Sequence, residues 1–247
     1  MALSTNSIIH YTDKLSILKL ILKEGFKVKY CAEELRLVGK TGKSNAAHPM
    51  ITFCDIPLSN SEPHFEKYGN YGIGLTKDWA VNNGVNPVLY IDHNSLFAKN
   101  LYELIKERRK ADTNLTKDQG LQILQIKAYA KNYSGHLKRG NVDNPNYKYY
   151  DEREWRLVPD KSQINNAQFS INLATYQKNK EEYNKKIEDV RITFESKDIS
   201  YIIVKETDEI PMIIEFLRTE YFERCSQNEL DILFSKICST QQIISDY

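Results

Sequence analysis

The chain has 247 residues, enough for one large domain or two small ones with a real core. Basic and acidic side chains nearly cancel at a net charge of +1, so no global field points to nucleic acid or to a membrane surface. A hydrophobic content of 41% with 27% charged residues fits a globular protein, and no stretch approaches the roughly 20 apolar residues of a membrane span. The opening residues lack a basic region followed by an apolar run, and Cys31, Cys54, Cys225 and Cys238 are scattered. These features predict a cytoplasmic protein with reduced thiols. Neither the histidines nor the cysteines have the spacing of metal ligands, so no metal site is expected.

In chain order, residues 7–12 (Ser-Ile-Ile-His-Tyr-Thr) read as a short strand, and residues 14–23 as a helix with Leu15, Leu18, Ile21 and Leu22 at helical spacing and Gly25 as its stop. Residues 26–30 return as a strand, and 39–47 form a polar loop. Within that loop Gly42-Lys43-Ser44 resembles the end of a phosphate-binding loop, but Leu37 stands where that motif needs a glycine. The segment is therefore read as a surface loop. Residues 50–58 form a buried strand stopped by Pro57, and a polar stretch with His64 follows. Tyr68-Gly69-Asn70-Tyr71-Gly72-Ile73-Gly74-Leu75 reads either as a glycine-containing hairpin or as backbone that approaches a ligand closely. A short helix from Lys77 and a strand over 86–91 complete this part.

Residues 95–136 predict a helical insertion, with Leu96, Phe97, Leu101, Leu104 and Ile105 on one helix and Leu121, Leu124, Ile126 and Tyr129 on a second. In 133–150, Arg139, Lys138 and Lys148 interleave with Tyr133, Tyr147, Tyr149 and Tyr150. This is either a Tyr-rich loop or a surface for phosphates and stacked bases. Residues 148–158 read as a strand that sends Glu152, Glu154 and Arg156 to one face. Such a set is costly in a core and ordinary on a solvated face or in a polar cleft. Beyond it come a solvated helix over 176–188, strands over 191–195 and 201–204, and helices over 208–222 and 227–237. One α+β domain spanning 1–247 is the expectation.

The ordered strings Ile9-His10-Tyr11-Thr12, Phe53-Cys54-Asp55-Ile56-Pro57-Leu58-Ser59, Tyr68-Gly69-x-Tyr71-Gly72-Ile73-Gly74-Leu75 and Glu152-x-Glu154-Trp155-Arg156-Leu157 resemble the AbiGi-type abortive phage-infection proteins. That family is labelled as antitoxin-associated in bacterial phage defence. A histidine-bearing strand followed by a helix ending in glycine also resembles, more distantly, the opening of DarT-type ADP-ribosyltransferases. This second resemblance implies a mixed or antiparallel split sheet and NAD as co-substrate. His10, flanked by Tyr11 and Thr12, would hold a ribose hydroxyl, and Tyr71 would stack on the nicotinamide with its glycines admitting the dinucleotide. Glu154 would be the catalytic carboxylate and Glu152 its companion. Arg139, Tyr147, Tyr149 and Arg156 would face the acceptor.

The chemistry is consistent. Breaking the nicotinamide–ribose bond builds an oxocarbenium-like charge that a fixed carboxylate stabilises. Arg156 would either offset the repulsion between the two glutamates or bind phosphate. Three readings follow: a defence ADP-ribosyltransferase acting on nucleic acid or protein, a non-enzymatic antitoxin or regulator that binds a cognate protein, and a metal-independent nuclease using His10, His64 and a glutamate, which no spacing favours.

Overall fold

The computed structural model describes residues 4–39, 42–139 and 142–246. The chain divides into two compact units, each assembled from separated segments: residues 1–27, 52–84 and 191–247 in the first, and 28–51 and 85–190 in the second.

The first unit is built on a mixed sheet in the order Ile237–Ser239, Ile199–Val204, Tyr71–Thr76, Ser7–Thr12 and the end of Ala46–Cys54. Only the first pair is parallel; the others are antiparallel. Branched residues dominate these strands, as buried strands require: Ile8, Ile9, Ile73, Leu75, Ile202, Ile203 and Val204 are all buried. The helix Leu15–Glu24 turns Leu18, Ile21 and Leu22 inward, and Gly25 ends it at φ 86°. A Cβ there would overlap the Ile192 carbonyl, so the chain needs glycine for space as well as conformation. The helix Ile210–Tyr221 buries Ile213, Leu217 and Tyr221 and anchors itself by the Tyr221 hydroxyl donating to the Leu22 carbonyl at 2.7 Å.

The tyrosine–glycine segment is a single strand rather than a hairpin, preceded by the helix Glu62–Tyr68 where a polar stretch was expected. Its glycines have a packing reason. Gly72 lies opposite Tyr11 and Gly74 opposite Tyr201, and each tyrosine ring covers its glycine; a Cβ would come within 3.0 Å of the first ring and 2.9 Å of the second. The space beside these glycines is filled by the protein's own aromatics.

In the second unit, Ala46–Cys54 enters as a strand flanked by Lys29–Glu33 and Ile171–Asn172, both antiparallel. The two helices expected over 95–136 are Leu96–Arg109 and Lys117–Ala128. Ser95 caps the first, and Thr116 with Gln119 forms a reciprocal capping box on the second. Their inner faces meet Leu35, Leu37 and Ile91 in one cluster with Ala98, Leu101, Ile105 and Ile123. Residues 133–150 are an antiparallel hairpin, Ser134–Arg139 against Val142–Lys148, not a loop. The helix expected over 176–188 breaks at Asn179 into Leu173–Lys178 and Lys180–Lys185. Among the described residues no helix is long and apolar enough to cross a membrane.

Candidate functional site

The Glu-x-Glu strand is shorter than its sequence pattern predicts. Residues Tyr149–Glu152 form a 3-10 turn, Arg153 takes a left-handed conformation at φ 44°, and the strand proper is Glu154–Leu157. A non-glycine residue in that region is uncommon, and here it sets the sharp entry into the strand. Period-2 geometry still places Glu154 and Arg156 on one face. That face is not solvated: Glu154 is 7% exposed, Glu152 3% and Arg156 0%. The expectation of an open or cleft-facing charge row is corrected on this point, because the charges are neutralised locally and the desolvation cost is offset by direct pairing.

The partners come from five other elements. Arg156 donates from Nε to Glu154 Oε1 at 2.7 Å, from Nη2 to Glu33 Oε1 at 2.8 Å, and from Nη1 to the Ala128 carbonyl at 2.6 Å. Lys131, on the strand Ala130–Asn132, donates to Glu152 Oε2 at 2.7 Å and to Glu154 Oε2 at 2.6 Å. Its ammonium also sits 5.0 Å from the centre of the Tyr149 ring. The Glu154 backbone N–H donates to the Tyr90 hydroxyl at 2.7 Å, and the Tyr147 hydroxyl is hydrogen-bonded to Glu152. Three carboxylates thus surround two cations.

The proton equilibria follow from this caging. Burial works against the Glu154 carboxylate, yet Arg156 and Lys131 outweigh it and bring its pKa down to about 2. Burial likewise opposes the Lys131 ammonium, but Glu154, Glu152 and Glu33 hold it well above the ordinary lysine value. Burial and the Glu152 charge push the Tyr147 hydroxyl up. Both Glu154 oxygens are thus engaged by cations that favour the charged carboxylate.

Of the residues expected to face an acceptor, Arg156 pairs with Glu154, Glu33 and the Ala128 carbonyl. Tyr147 and Tyr149 belong to the same cluster, and the Tyr149 hydroxyl donates to the His136 carbonyl at 2.8 Å. The Arg139 side chain lies outside the described residues.

The residues expected to hold NAD all belong to the first unit. His10 Nδ1 is hydrogen-bonded to the Thr52 carbonyl at 2.8 Å, and its ring meets Phe26 and Phe53 edge-on. The Tyr11 hydroxyl donates to Ser61 Oγ at 3.0 Å, Thr12 is buried, and the Tyr71 hydroxyl donates to Glu209 Oε1 at 2.8 Å. Burial and the Glu209 carboxylate push the Tyr71 hydroxyl up to about 12. Glu33, Tyr90 and Lys131 were not among the sequence candidates. They lie far from residues 152–156 in the chain, and nothing local marks them. Among the described residues no group of three His, Cys, Asp or Glu side chains is placed to hold a metal ion.

Comparison with known proteins supplies the biological setting. The family described as "Putative abortive phage resistance protein AbiGi, antitoxin" matches residues 24–205. The abortive phage resistance protein AbiGi of Lactococcus lactis subsp. cremoris is 27% identical over 220 residues, covering 81% of this chain and 88% of the relative. No solved structure matches. The matched region contains every member of the Glu33–Lys131–Glu152–Glu154–Arg156 cluster, and this chain belongs to the AbiGi family of abortive phage resistance proteins.

Proposed function

We propose that the chain serves abortive phage resistance as an antitoxin-type protein that acts by binding a cognate protein, not by catalysing a group transfer. The observation that carries this reading is the state of Glu154. With Lys131 on one oxygen and Arg156 on the other at 2.6 and 2.7 Å, it supports the fold as a buried anion. The antitoxin label of the matching family agrees with such a role. The test is co-expression with a candidate cognate toxin, followed by purification. A stable complex, with growth rescued equally by wild type and by Glu154→Gln where that variant folds, is the expected result. Rescue without any complex would sink the binding reading.

A second reading, an NAD-dependent ADP-ribosyltransferase modifying nucleic acid or protein, keeps one observation in its favour. Glu152 and Glu154 converge on one ammonium beside Tyr147 and Tyr149, at a lysine whose side chain retains 16% exposure. For Glu154 to stabilise a ribosyl cation, the Lys131 ammonium would have to leave it. Nicotinamide release from NAD by the pure protein, lost in Glu154→Gln, would establish this reading over the first.

A further inference from the structure

The Gly42-Lys43-Ser44 segment does not form a phosphate-binding loop. Gly42–Lys43 is a two-residue strand paired with Arg36–Val38 and leads to no helix. It nevertheless borders a recess of about 410 Å³ wholly within the second unit, a size in the range of small-ligand sites. Four cations line it: Lys43, Arg108, Arg109 and Lys127. Among the described residues no carboxylate does.

Two features separate this recess from an ordinary basic surface. Lys127 is 4% exposed, and among the described residues no carboxylate forms an ion pair with it. An ammonium with little access to water and no carboxylate beside it is costly, and burial together with Arg109 and Arg108 pushes its pKa down to about 8. Glu33 is too weak an influence to reverse this. The second feature is Asn45, whose side-chain oxygen is buried with no hydrogen-bond partner. An unsatisfied buried acceptor calls for a donor.

The frame is otherwise fixed. Arg109 Nη2 donates to Ser44 Oγ at 3.1 Å, and Arg108 Nε donates to the Gly120 carbonyl at 3.0 Å, so both guanidinium groups are tethered. A ligand that satisfies the recess carries both concentrated negative charge and an N–H or O–H donor. We infer that this recess binds a small phosphorylated molecule of the nucleotide class, its terminal phosphate on Lys127, Arg108, Arg109 and Lys43 and a hydroxyl or amino group on Asn45. A duplex backbone presents its phosphates on a convex surface and does not carry one down to a lysine this deeply buried.

Calorimetry on the full chain would titrate pyrophosphate, ATP, GTP, a nucleoside, and a 5′-phosphorylated oligonucleotide. Saturable binding of a nucleotide is expected, absent for the nucleoside. Lys43→Gln, on an exposed side chain, and Lys127→Met, checked for folding by circular dichroism, should each weaken it by about tenfold or more, as loss of a charged hydrogen-bond donor predicts. Asn45→Ala should weaken the nucleotide and leave pyrophosphate unchanged. No binding by either nucleotide, or undiminished binding in folded Lys43→Gln and Lys127→Met, would overturn the assignment. Pyrophosphate binding as tightly as ATP would reduce the ligand to an inorganic anion, and tighter binding of the oligonucleotide would replace the small molecule with a nucleic-acid end; either overturns the nucleotide class.

Discussion

Lys131 Nζ stands 2.6 Å from Glu154 Oε2 and holds Glu152 at the same time, so one ammonium joins two buried carboxylates that would otherwise repel. Lys131→Met leaves both carboxylates short of a counter-charge while filling similar space. Removing one member of a buried ion pair costs about 3–5 kcal/mol, and urea denaturation should show a loss of that order. Adding Glu152→Gln to Lys131→Met should recover part of it. A loss below about 1 kcal/mol, the scale of a surface pair, would show that the cluster is solvated in solution.

Gly74→Ala sets a methyl group against the Tyr201 ring at 2.9 Å. Neither Gly72 nor Gly74 has a positive φ, so space, not backbone conformation, decides the outcome. Overpacking of this kind costs about 1–3 kcal/mol, and Gly74→Ala together with Tyr201→Ala should be less than additive. If the glycines instead served to admit a dinucleotide, thermal stability would stay level and only ligand binding would fall.

Tyr71→Phe removes the donor to Glu209 Oε1. Glu209 also accepts from the backbone N–H groups of Lys205 and Glu206 at 2.9 and 3.1 Å, so this hydrogen bond ties the strand to the start of the Ile210–Tyr221 helix. A hydrogen bond to a charged group is worth about 1.5–3 kcal/mol, and chemical denaturation should place the loss at or just under the low end, since Glu209 keeps its other donors.

Stability should fall as the solution is acidified below neutrality, and His48 should account for the first part of the fall. Its ring is fully buried, and burial with the Lys127 and Arg156 charges pushes it down to about 3. An unfolded chain takes up this proton near pH ~6.5, whereas the native one does not, so the unfolded state binds more protons between these values. The slope is about 1.4 kcal/mol per pH unit, lost on lowering the pH from ~6.5. His48→Phe should flatten the profile from pH ~6.5 to ~4.5. Below that Glu154, with its pKa at about 2 in the fold, adds a further loss in both proteins. A wild-type profile already flat in the upper window would contradict the buried neutral imidazole.

The parts of this fold that could be read in advance are those whose signals are local. Leu101 and Ile105 on one helix and Leu124 on the next stand at helical spacing and turn inward as that spacing requires. The strand at Glu154 was legible by type but not by its start, since a left-handed Arg153 has no mark comparable to a glycine. The charge cluster was half visible. Residues 152–156 announce themselves, while Glu33 pairs with Arg156 across a separation of 123 positions and Lys131 arrives on a different strand. The glycines drew attention for a real reason, close approach, but what approaches is Tyr11 and Tyr201, supplied by neighbouring strands whose register no local pattern states.

The division of the chain into interleaved segments also sets an order of completion during synthesis. The second unit has all of its residues once Val190 has emerged, whereas the first still lacks residues 191–247. Those residues supply Ile199–Val204, an interior strand of its sheet, so the strand Tyr71–Thr76 waits with an unpaired edge until they have been made. A chain clipped near residue 190 would thus keep every residue of the charge cluster and the basic recess while losing the strands Ile199–Val204 and Ile237–Ser239 from the sheet of the first unit.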